Sequence, residues 1–198
     1  MVASAPAQNL FVGVNGSGVY EYTPGGVQNA FISGLGGPTG LAFNSAGDLF
    51  VASGISDIVK ITPGGIQSIF ATGLNRPTGL AFNSAGDLFE ADQYSGNIYV
   101  FTPGGVRSTF ATGLIGPWGL AFDSAGNLFV ANSSNSDILE FTPGGVRSTF
   151  AVGLSYPNEL AFNSAGDLFV ADGAANSIIK ITPGGVQSIF ASGLDNPV

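Results

Sequence analysis

The chain lacks the two residue types on which much enzyme and metal chemistry depends. Its 198 residues include no cysteine and no histidine. The first absence excludes disulfides, thiolate zinc sites and cysteine nucleophiles. The second removes the usual general base and the commonest transition-metal ligand, and with them the common serine triad.

Charged residues are scarce as well, and basic ones are the scarcest. Only 9% of residues are charged, and five Lys or Arg stand against 13 Asp or Glu, which gives a net charge of -8. An acidic surface repels a phosphate backbone, so we expect no nucleic-acid partner. No uninterrupted apolar run has the length of a transmembrane helix, so we expect no membrane span.

What the chain has instead is a repeat. The sequence Thr-Pro-Gly-Gly occurs five times with spacings of 39, 40, 40 and 40 residues, beginning at Thr23, Thr62, Thr102, Thr142 and Thr182. No linker interrupts the series, so we predict one domain over residues 1–198. Its five units are approximately 1–37, 38–76, 77–116, 117–156 and 157–198.

Each unit has the pattern of four short strands. In the third unit the segments rich in β-branched and aromatic residues are 79–82, 87–91, 97–102 and 106–111. Asn-Ser-Ala-Gly separates the first two segments and Pro-Gly-Gly the last two, and both are tight-turn sequences. Four antiparallel strands with a period near 40 are typical of a propeller blade. The sequence therefore predicts an all-β protein, a β-propeller of five four-stranded antiparallel blades.

The repeat also resembles a known family. Units such as Pro77-Thr-Gly-Leu-Ala-Phe-Asn-Ser-Ala-Gly-Asp-Leu-Phe-Glu-Ala-Asp are similar to NHL-type repeats, and more loosely to the propellers of the senescence marker protein and gluconolactonase group. The resemblance implies the propeller fold, which hosts unrelated activities. NHL repeats often have a basic residue just before the third strand, and the chain has none there. The RNA-binding role of some NHL domains is therefore not implied.

The two ends of the chain decide how the ring closes. By alignment with the other units, Met1–Ser4 takes the place of a first strand, and Pro197 and Val198 stand where another first strand begins. Either blade one has a degenerate inner strand, or the natural protein continues and this chain is a shorter piece of it. If the piece folds, we expect a monomeric five-bladed ring whose closing seam is its weakest interface. The alternative is an oligomer in which chains complete the seam for one another.

The N-terminal residues bear on location. Ala3 and Ala5, before Pro6, have the small-residue spacing of a signal-peptidase site. This spacing predicts export, either secretion or bacterial-type delivery to the periplasm.

The units differ mainly on one side of the predicted disc. The turns joining strands one to two and three to four are nearly constant, whereas the turns joining strands two to three and the links between blades vary. A rigid scaffold with varied loops on one rim is a common way to present a binding site, and drift in tolerant loops is the alternative. The ligand-binding candidates on the variable side are Arg76, Tyr94, Trp118, Tyr156, Asn158 and Glu159.

Trp118 breaks the repeat at the entry of an inner strand, where other units have Thr39, Thr78 and Asn158. We expect this side chain near the mouth of the central channel. There it either stacks on a sugar or an aromatic ligand or simply plugs the channel.

Asn158 and Glu159 form a second break. Glu159 replaces a glycine found in three other units, which brings a carboxylate beside an amide. In the gluconolactonase group an Asn after this Pro can be a metal ligand, and the resemblance implies that role for Asn158. The corresponding residues of the other units do not supply the further oxygen ligands that a hard divalent cation needs. We therefore assign no catalytic residue, metal or cofactor, and keep Asn158 and Glu159 as candidates for a divalent cation.

Glu90 is a third break, because the other four units have valine at this place in the second strand. A carboxylate at a buried position must be paired, protonated or tilted to water. We interpret Glu90 as a tolerated edge position rather than a catalytic acid, with Arg76 on the preceding link as its candidate partner.

Three functions remain open. The first is a non-enzymatic binding or scaffold module for a protein or for a small polar ligand such as a carbohydrate, bound on the variable side. The second is a metal-assisted hydrolase of the lactonase kind that uses Asn158 and Glu159. The third is a recently amplified or engineered repeat of mainly structural interest. The missing catalytic residue types favour the first.

Overall fold

The fold is a five-bladed β-propeller, as the repeat predicts. The computed structural model describes residues 9–198 except 15, 17 and 55. In that part of the chain, antiparallel strands form five sheets, and within each sheet the strands pair in the order in which they follow along the chain. The residues so described contain no helix long and apolar enough to cross a membrane.

The strands follow the chain in order, blade by blade. Blade one contains β1 (Leu10–Val14), β2 (Gly18–Tyr22) and β3 (Gln28–Ser33), and the predicted strand Met1–Ser4 lies outside the described residues. Blade two contains β4 (Pro38–Phe43), β5 (Leu49–Ser53), β6 (Asp57–Ile61) and β7 (Gln67–Ala71). Blade three contains β8 (Pro77–Phe82), β9 (Leu88–Asp92), β10 (Asn97–Phe101) and β11 (Arg107–Ala111). Blade four contains β12 (Pro117–Phe122), β13 (Leu128–Asn132), the 3-10 turn η1 (Ser133–Asn135), β14 (Asp137–Phe141) and β15 (Arg147–Val152). Blade five contains β16 (Pro157–Phe162), β17 (Leu168–Asp172), β18 (Ser177–Ile181) and β19 (Gln187–Ser192).

The constant residues of the repeat form the turns on one side of the disc. Between β8 and β9, the Asn83 side-chain oxygen accepts hydrogen bonds from the Ala85 and Asp87 amides at 3.0 and 2.8 Å. Between β10 and β11, the Thr102 carbonyl accepts from the Gly105 amide at 2.8 Å. These bonds satisfy the backbone of the turn locally, which explains why the same residues recur in the units.

Neighbouring blades hold together through a repeated set of apolar side chains. We call the face of a blade toward the following blade its trailing face, and the face toward the preceding blade its leading face. The ring of Phe50, on the trailing face of blade two, packs edge to face on Phe70 of the same blade and on Phe82 of the next, with centroids 4.9 and 5.1 Å apart. Full burial of one such side chain contributes about 1.5–3 kcal/mol. Equivalent clusters join blades one to two, two to three, three to four and four to five.

The inner strands approach one another closely at a glycine. A Cβ on Gly40, Gly79 or Gly119 would collide with a backbone carbonyl of the next blade's inner strand. Blade five has Glu159 at this position. No side chain therefore fits at the glycine positions of blades two, three and four, whereas blade five has a side chain at this position.

Glu90 lies inside the protein, so its interpretation as an edge position is wrong. Its side chain is 0% exposed, and neither carboxylate oxygen has a hydrogen-bond partner among the described residues. Burial, together with the nearby Asp92 charge and against the opposing effect of Arg107, raises the pKa of Glu90 to about 9. The Arg76 guanidinium donates instead to Tyr94. Glu90 is therefore a protonated acid at neutral pH.

Replacing Glu90 should change how stability depends on pH. Because the folded-state pKa is far above that of the unfolded chain, the stabilising contribution of the protonated form is complete below about pH 4.5 and is lost as pH rises through about 9. The slope is about 1.4 kcal/mol per pH unit. Glu90→Val should remove this slope and raise the free energy of unfolding at pH 7 by up to about 3 kcal/mol. Urea titrations between pH 5 and 9 measure the difference, with Glu90→Gln as an uncharged control of the same shape. Parallel pH profiles for the wild type and both variants would contradict the buried, protonated state.

Candidate ligand-binding site at the channel mouth

The variable turns and the variable links lie together on one side of the disc. The Tyr94 amide, in the turn between β9 and β10, donates to the Asn75 carbonyl of the preceding link at 3.1 Å. The corresponding turn of blade four donates from Ser134 to Ile115 at 3.1 Å, and that of blade five from Ala174 to Ser155 at 2.9 Å. In blades three to five, the variable turn is thus fixed to the link that enters its own blade.

A buried polar side chain at the end of each second strand anchors this arrangement in blades three to five. These side chains accept hydrogen bonds from link amides: Asp92 from Asn75 at 2.7 Å, Asn132 from Ile115 at 2.6 Å, and Asp172 from Ser155 at 2.7 Å. Burial raises the pKa of Asp172, and the Ser155 amide opposes that rise. All three side chains are engaged by the scaffold, and this recurrence indicates a structural role.

Arg76, Tyr94 and Trp118 form one cluster on the variable side. The Arg76 guanidinium donates to the Tyr94 hydroxyl at 2.6 Å. Its central carbon lies 5.2 Å from the centre of the Tyr94 ring and 5.7 Å from that of Trp118. Both distances are in the range of cation–π attraction. Tyr94 is 64% exposed, while Trp118 and Arg76 are half-buried, so the cluster presents aromatic surface to solvent on a fixed base.

Two of the variable links hold bulky side chains in an unfavourable backbone conformation. Arg76 and Tyr156 have φ angles of 61° and 64°, in the left-handed region, where the corresponding links have Gly37 and Gly116. Holding a non-glycine residue there costs about 1 kcal/mol or more. Such strain is common at binding sites because the surrounding structure offsets it.

Trp118 also replaces a side chain that holds neighbouring blades together. The Thr39 hydroxyl donates to the Pro77 carbonyl at 2.9 Å and the Thr78 hydroxyl to the Pro117 carbonyl at 3.2 Å, each across a blade boundary. A tryptophan at this place in blade four cannot make the same short bond. The Ser133 hydroxyl, from the start of η1, donates to the Pro157 carbonyl instead. The inter-blade bond is therefore kept while Trp118 occupies the channel mouth.

Trp118 and Glu159 line the same cavity. The central cavity has a volume of about 470 Å³, and its lining includes Trp118, Glu159, Thr39, Leu80 and Val198. This volume suits a small ligand. A depression of about 520 Å³ on blades one and two is lined mainly by small residues between Gly34 and Ile69, and lacks a comparable group of convergent side chains.

The carboxyl group of Glu159 has a perturbed environment. The side chain is half-buried, and burial raises its pKa, with the Leu160 amide opposing the rise. A raised pKa favours the protonated form, which can donate as well as accept hydrogen bonds. Glu159 therefore adds an ionisable group to a channel wall that also contains Thr39, Leu80 and Trp118.

Asn158 serves the scaffold, like the threonines at its position. It is 6% exposed, and its side-chain amide donates to the Pro197 carbonyl at 3.0 Å. Across residues 9–198, apart from the three undescribed positions, no three His, Cys, Asp or Glu side chains gather in the manner of metal ligands. The residues present therefore fit a resident metal ion poorly.

The structure brings together part of the predicted site. Arg76, Tyr94 and Trp118 are in contact, and Trp118 shares the cavity with Glu159. Tyr156 is 51% exposed and lies 3.4 Å from the Ser134 hydroxyl, through its own hydroxyl oxygen. Sequence reasoning missed the inter-blade bond of Ser133. In the sequence, the sole sign of this bond is that Ser133 is a serine in a polar variable turn.

Comparison with known proteins reveals the fold alone. No family model matches the sequence, and no curated protein sequence matches it. One similar solved structure is a chain of a nidogen–laminin complex, with a TM-score of 0.86 and 24% identity over 96% of this chain and 80% of that one. Another is a gluconolactonase from Xanthomonas campestris, with a TM-score of 0.79 and 20% identity over 91% of this chain and 70% of that one.

A third similar structure is a virginiamycin B lyase from Staphylococcus aureus, with a TM-score of 0.68 and 19% identity over 79% of this chain. The chain spans only 56% of the length of that lyase. Gluconolactonase-like propellers are thus among the structural neighbours, in line with the looser of the two resemblances in the sequence.

Proposed function

We propose that the protein is a non-enzymatic binding module whose channel mouth takes a small polar ligand, with a carbohydrate as the favoured class. The observation that supports this most directly is the cluster of Arg76, Tyr94 and Trp118 at the edge of the cavity that Glu159 lines. We call these four residues the channel-mouth site. Sugars present apolar C–H faces that stack on aromatic rings and hydroxyl groups that bond to charged or polar side chains.

Two features distinguish this site from surface loops whose sequences have simply drifted. Tyr94 is exposed and Trp118 is half-buried, so both rings offer surface to a ligand, and Arg76 between them is held at a strained φ angle. The inter-blade bond that Trp118 cannot make is supplied by Ser133. The strained φ angle costs free energy, and the Ser133 bond compensates for a lost one. A rim without a binding site would need neither.

The structural neighbours include binding proteins, which supports a binding role, but they also include enzymes. They include a chain of a nidogen–laminin complex and auxiliary nutrient binding proteins from Bacteroides, but also a lyase and a gluconolactonase. Propellers host unrelated functions, so the proposal depends on the residues of this chain. A protein partner on the same variable side is the wider form of the proposal. The spacing of Ala3 and Ala5 favours an exported protein.

Binding at the channel mouth can be followed through Trp118, which is the only tryptophan. Titration with neutral and acidic oligosaccharides should shift Trp118 fluorescence, and calorimetry should give the affinity. Trp118→Thr, which restores the residue of two other units, should weaken binding about 10-fold or more, or about 1.4 kcal/mol. Val146→Thr is the control, because it changes an exposed side chain in the turn between β14 and β15, on the opposite side of the disc, and should leave the affinity unchanged. The proposal is wrong if the saccharides that bind do so equally well to Trp118→Thr, or perturb only the opposite side of the disc.

A second candidate is a hydrolase of the lactonase kind. The observation in its favour is the half-buried Glu159 carboxyl, which lies in the cavity with a raised pKa, a state suited to general acid catalysis. The metal-assisted form of this reading needs Asn158 and Glu159 to bind a divalent cation.

Calcium titration decides the metal-assisted form. It predicts stoichiometric heat of binding with the wild-type protein and none with Glu159→Gly, the residue of three other units, together with loss of lactone hydrolysis. Since Asn158 is already engaged by Pro197, the binding-module proposal predicts identical titrations for the two proteins. Stoichiometric binding that disappears with Glu159→Gly would favour the hydrolase instead.

A further inference from the structure

The trailing face of blade five is uncovered. Phe190 is 65% exposed, whereas the equivalent phenylalanines of blades one to four are half-buried. Leu194 is 38% exposed, whereas the equivalent leucines are 6–7% exposed: Leu35, Leu74, Leu114 and Leu154. The ring of Phe169 packs on Phe190 at 4.9 Å, and within the described residues it has no third ring from a following blade. Blade five thus has the full set of residues that the other blades use to hold a neighbour.

The leading face of blade one is uncovered in the same way. Leu10 is 63% exposed, whereas its equivalents are 0–1% exposed: Leu49, Leu88, Leu128 and Leu168. Tyr22 is half-buried, whereas its equivalents are at most 2% exposed: Ile61, Phe101, Phe141 and Ile181. Among the residues that the structure describes, no apolar cluster joins this face to blade five. The two uncovered faces are therefore a trailing face and a leading face, one at each end of the series.

The backbone leaves blade five in the geometry by which it enters blades three and four. The Asn158 side chain donates to the Pro197 carbonyl at 3.0 Å. This matches the bonds from Thr39 to Pro77 and from Thr78 to Pro117, each of which marks the first residue of an inner strand. Pro197 is thus held where the inner strand of a following blade begins.

We propose that the space between blades five and one is a docking site for one further blade of this same repeat, which enters directly behind Pro197. A single blade has a leading face for blade five and a trailing face for blade one, so it covers both sets of apolar side chains at once. This is the same interface that already occurs four times in the molecule. The size of a similar solved structure agrees with room for one more blade. In the comparison with the nidogen–laminin chain, 96% of this chain matches 80% of that one, so about a fifth of that chain has no counterpart here.

Glu159 makes this docking site different from the other four interfaces. At Gly40, Gly79 and Gly119 the next inner strand comes so close that a Cβ would collide with its carbonyl. A blade entering behind Pro197 meets a glutamate at that point instead. Glu159 therefore weakens the docking of the further blade, and the docked inner strand must lie farther from β16 than the other inner strands lie from one another.

Lengthening the chain by one unit tests the proposal. A copy of residues 38–76, which contains no tryptophan and no counterpart of Glu90, is inserted in frame between Asn196 and Pro197. The lengthened chain should unfold in one cooperative transition at a higher urea midpoint than the unlengthened chain. Glu159→Gly should raise that midpoint again. A lengthened chain with Leu49→Ser in the inserted copy is the matched control and should lose most of the gain.

Alanine substitution of Phe190 tests whether the face is free before the blade is added. In the unlengthened chain Phe190→Ala should leave the urea midpoint nearly unchanged, while the equivalent Phe110→Ala lowers it. In the lengthened chain both substitutions should lower it. If Phe190→Ala is as costly as Phe110→Ala in the unlengthened monomer, blade one already covers blade five and the proposal is wrong. If that cost appears only with a dimer in light scattering, a second copy is the occupant and the proposal is equally wrong.

A second lengthened chain controls for a failure that is specific to the inserted copy of residues 38–76. It contains a copy of residues 117–156 in place of 38–76. The proposal is overturned if neither lengthened chain is more stable than the unlengthened one.

Discussion

Every blade of this molecule depends on its neighbours for burial, because its sheet is apolar on both faces. The trailing phenylalanine of one blade and the leading leucine of the next lie in one cluster, as Phe50 and Leu80 do, and neither would be buried in an isolated blade. Stability in such a series is approximately a sum of nearest-neighbour interfaces. Among the residues that the structure describes, four apolar interfaces join the five blades, and the outer faces of blades one and five are exposed to water. The uncovered faces are thus a direct consequence of how the repeat works.

The second constraint is the close approach of the inner strands, and it determines where side chains can reach the channel. Gly79 and Gly119 allow neighbouring backbones to touch, so no side chain projects from those positions. Glu159 departs from this pattern, Trp118 replaces the neighbouring threonine of two other units, and both side chains line the central cavity. Trp118 is accommodated because Ser133 supplies the inter-blade bond. The chemistry available at the channel mouth therefore comes from the places where the repeat is broken.

Much of the fold could be predicted from the sequence, because the period, the turn residues and the alternating apolar residues are local signals. The third-unit strands predicted at 87–91 and 97–102 occur at Leu88–Asp92 and Asn97–Phe101. Burial of Glu90 could not be predicted, since it depends on how two blades meet. The contact of Arg76 with Trp118 joins residues from two units, so a single unit gives no sign of it. The bond from Ser133 to Pro157 also joins two units, so it could not be predicted from a single unit either.

Native-state hydrogen exchange tests most directly whether burial between blades sets the stability of the ring. The account predicts that amides of β19 in blade five and β1 in blade one exchange well before the equivalent amides of β15 and β9, which lie in blades covered on both faces. Exchange rates of unfolded peptides of the same sequence provide the reference for each amide. Equal protection in all five blades of the monomer would contradict the account, because it would mean that blades five and one cover each other as completely as any internal pair.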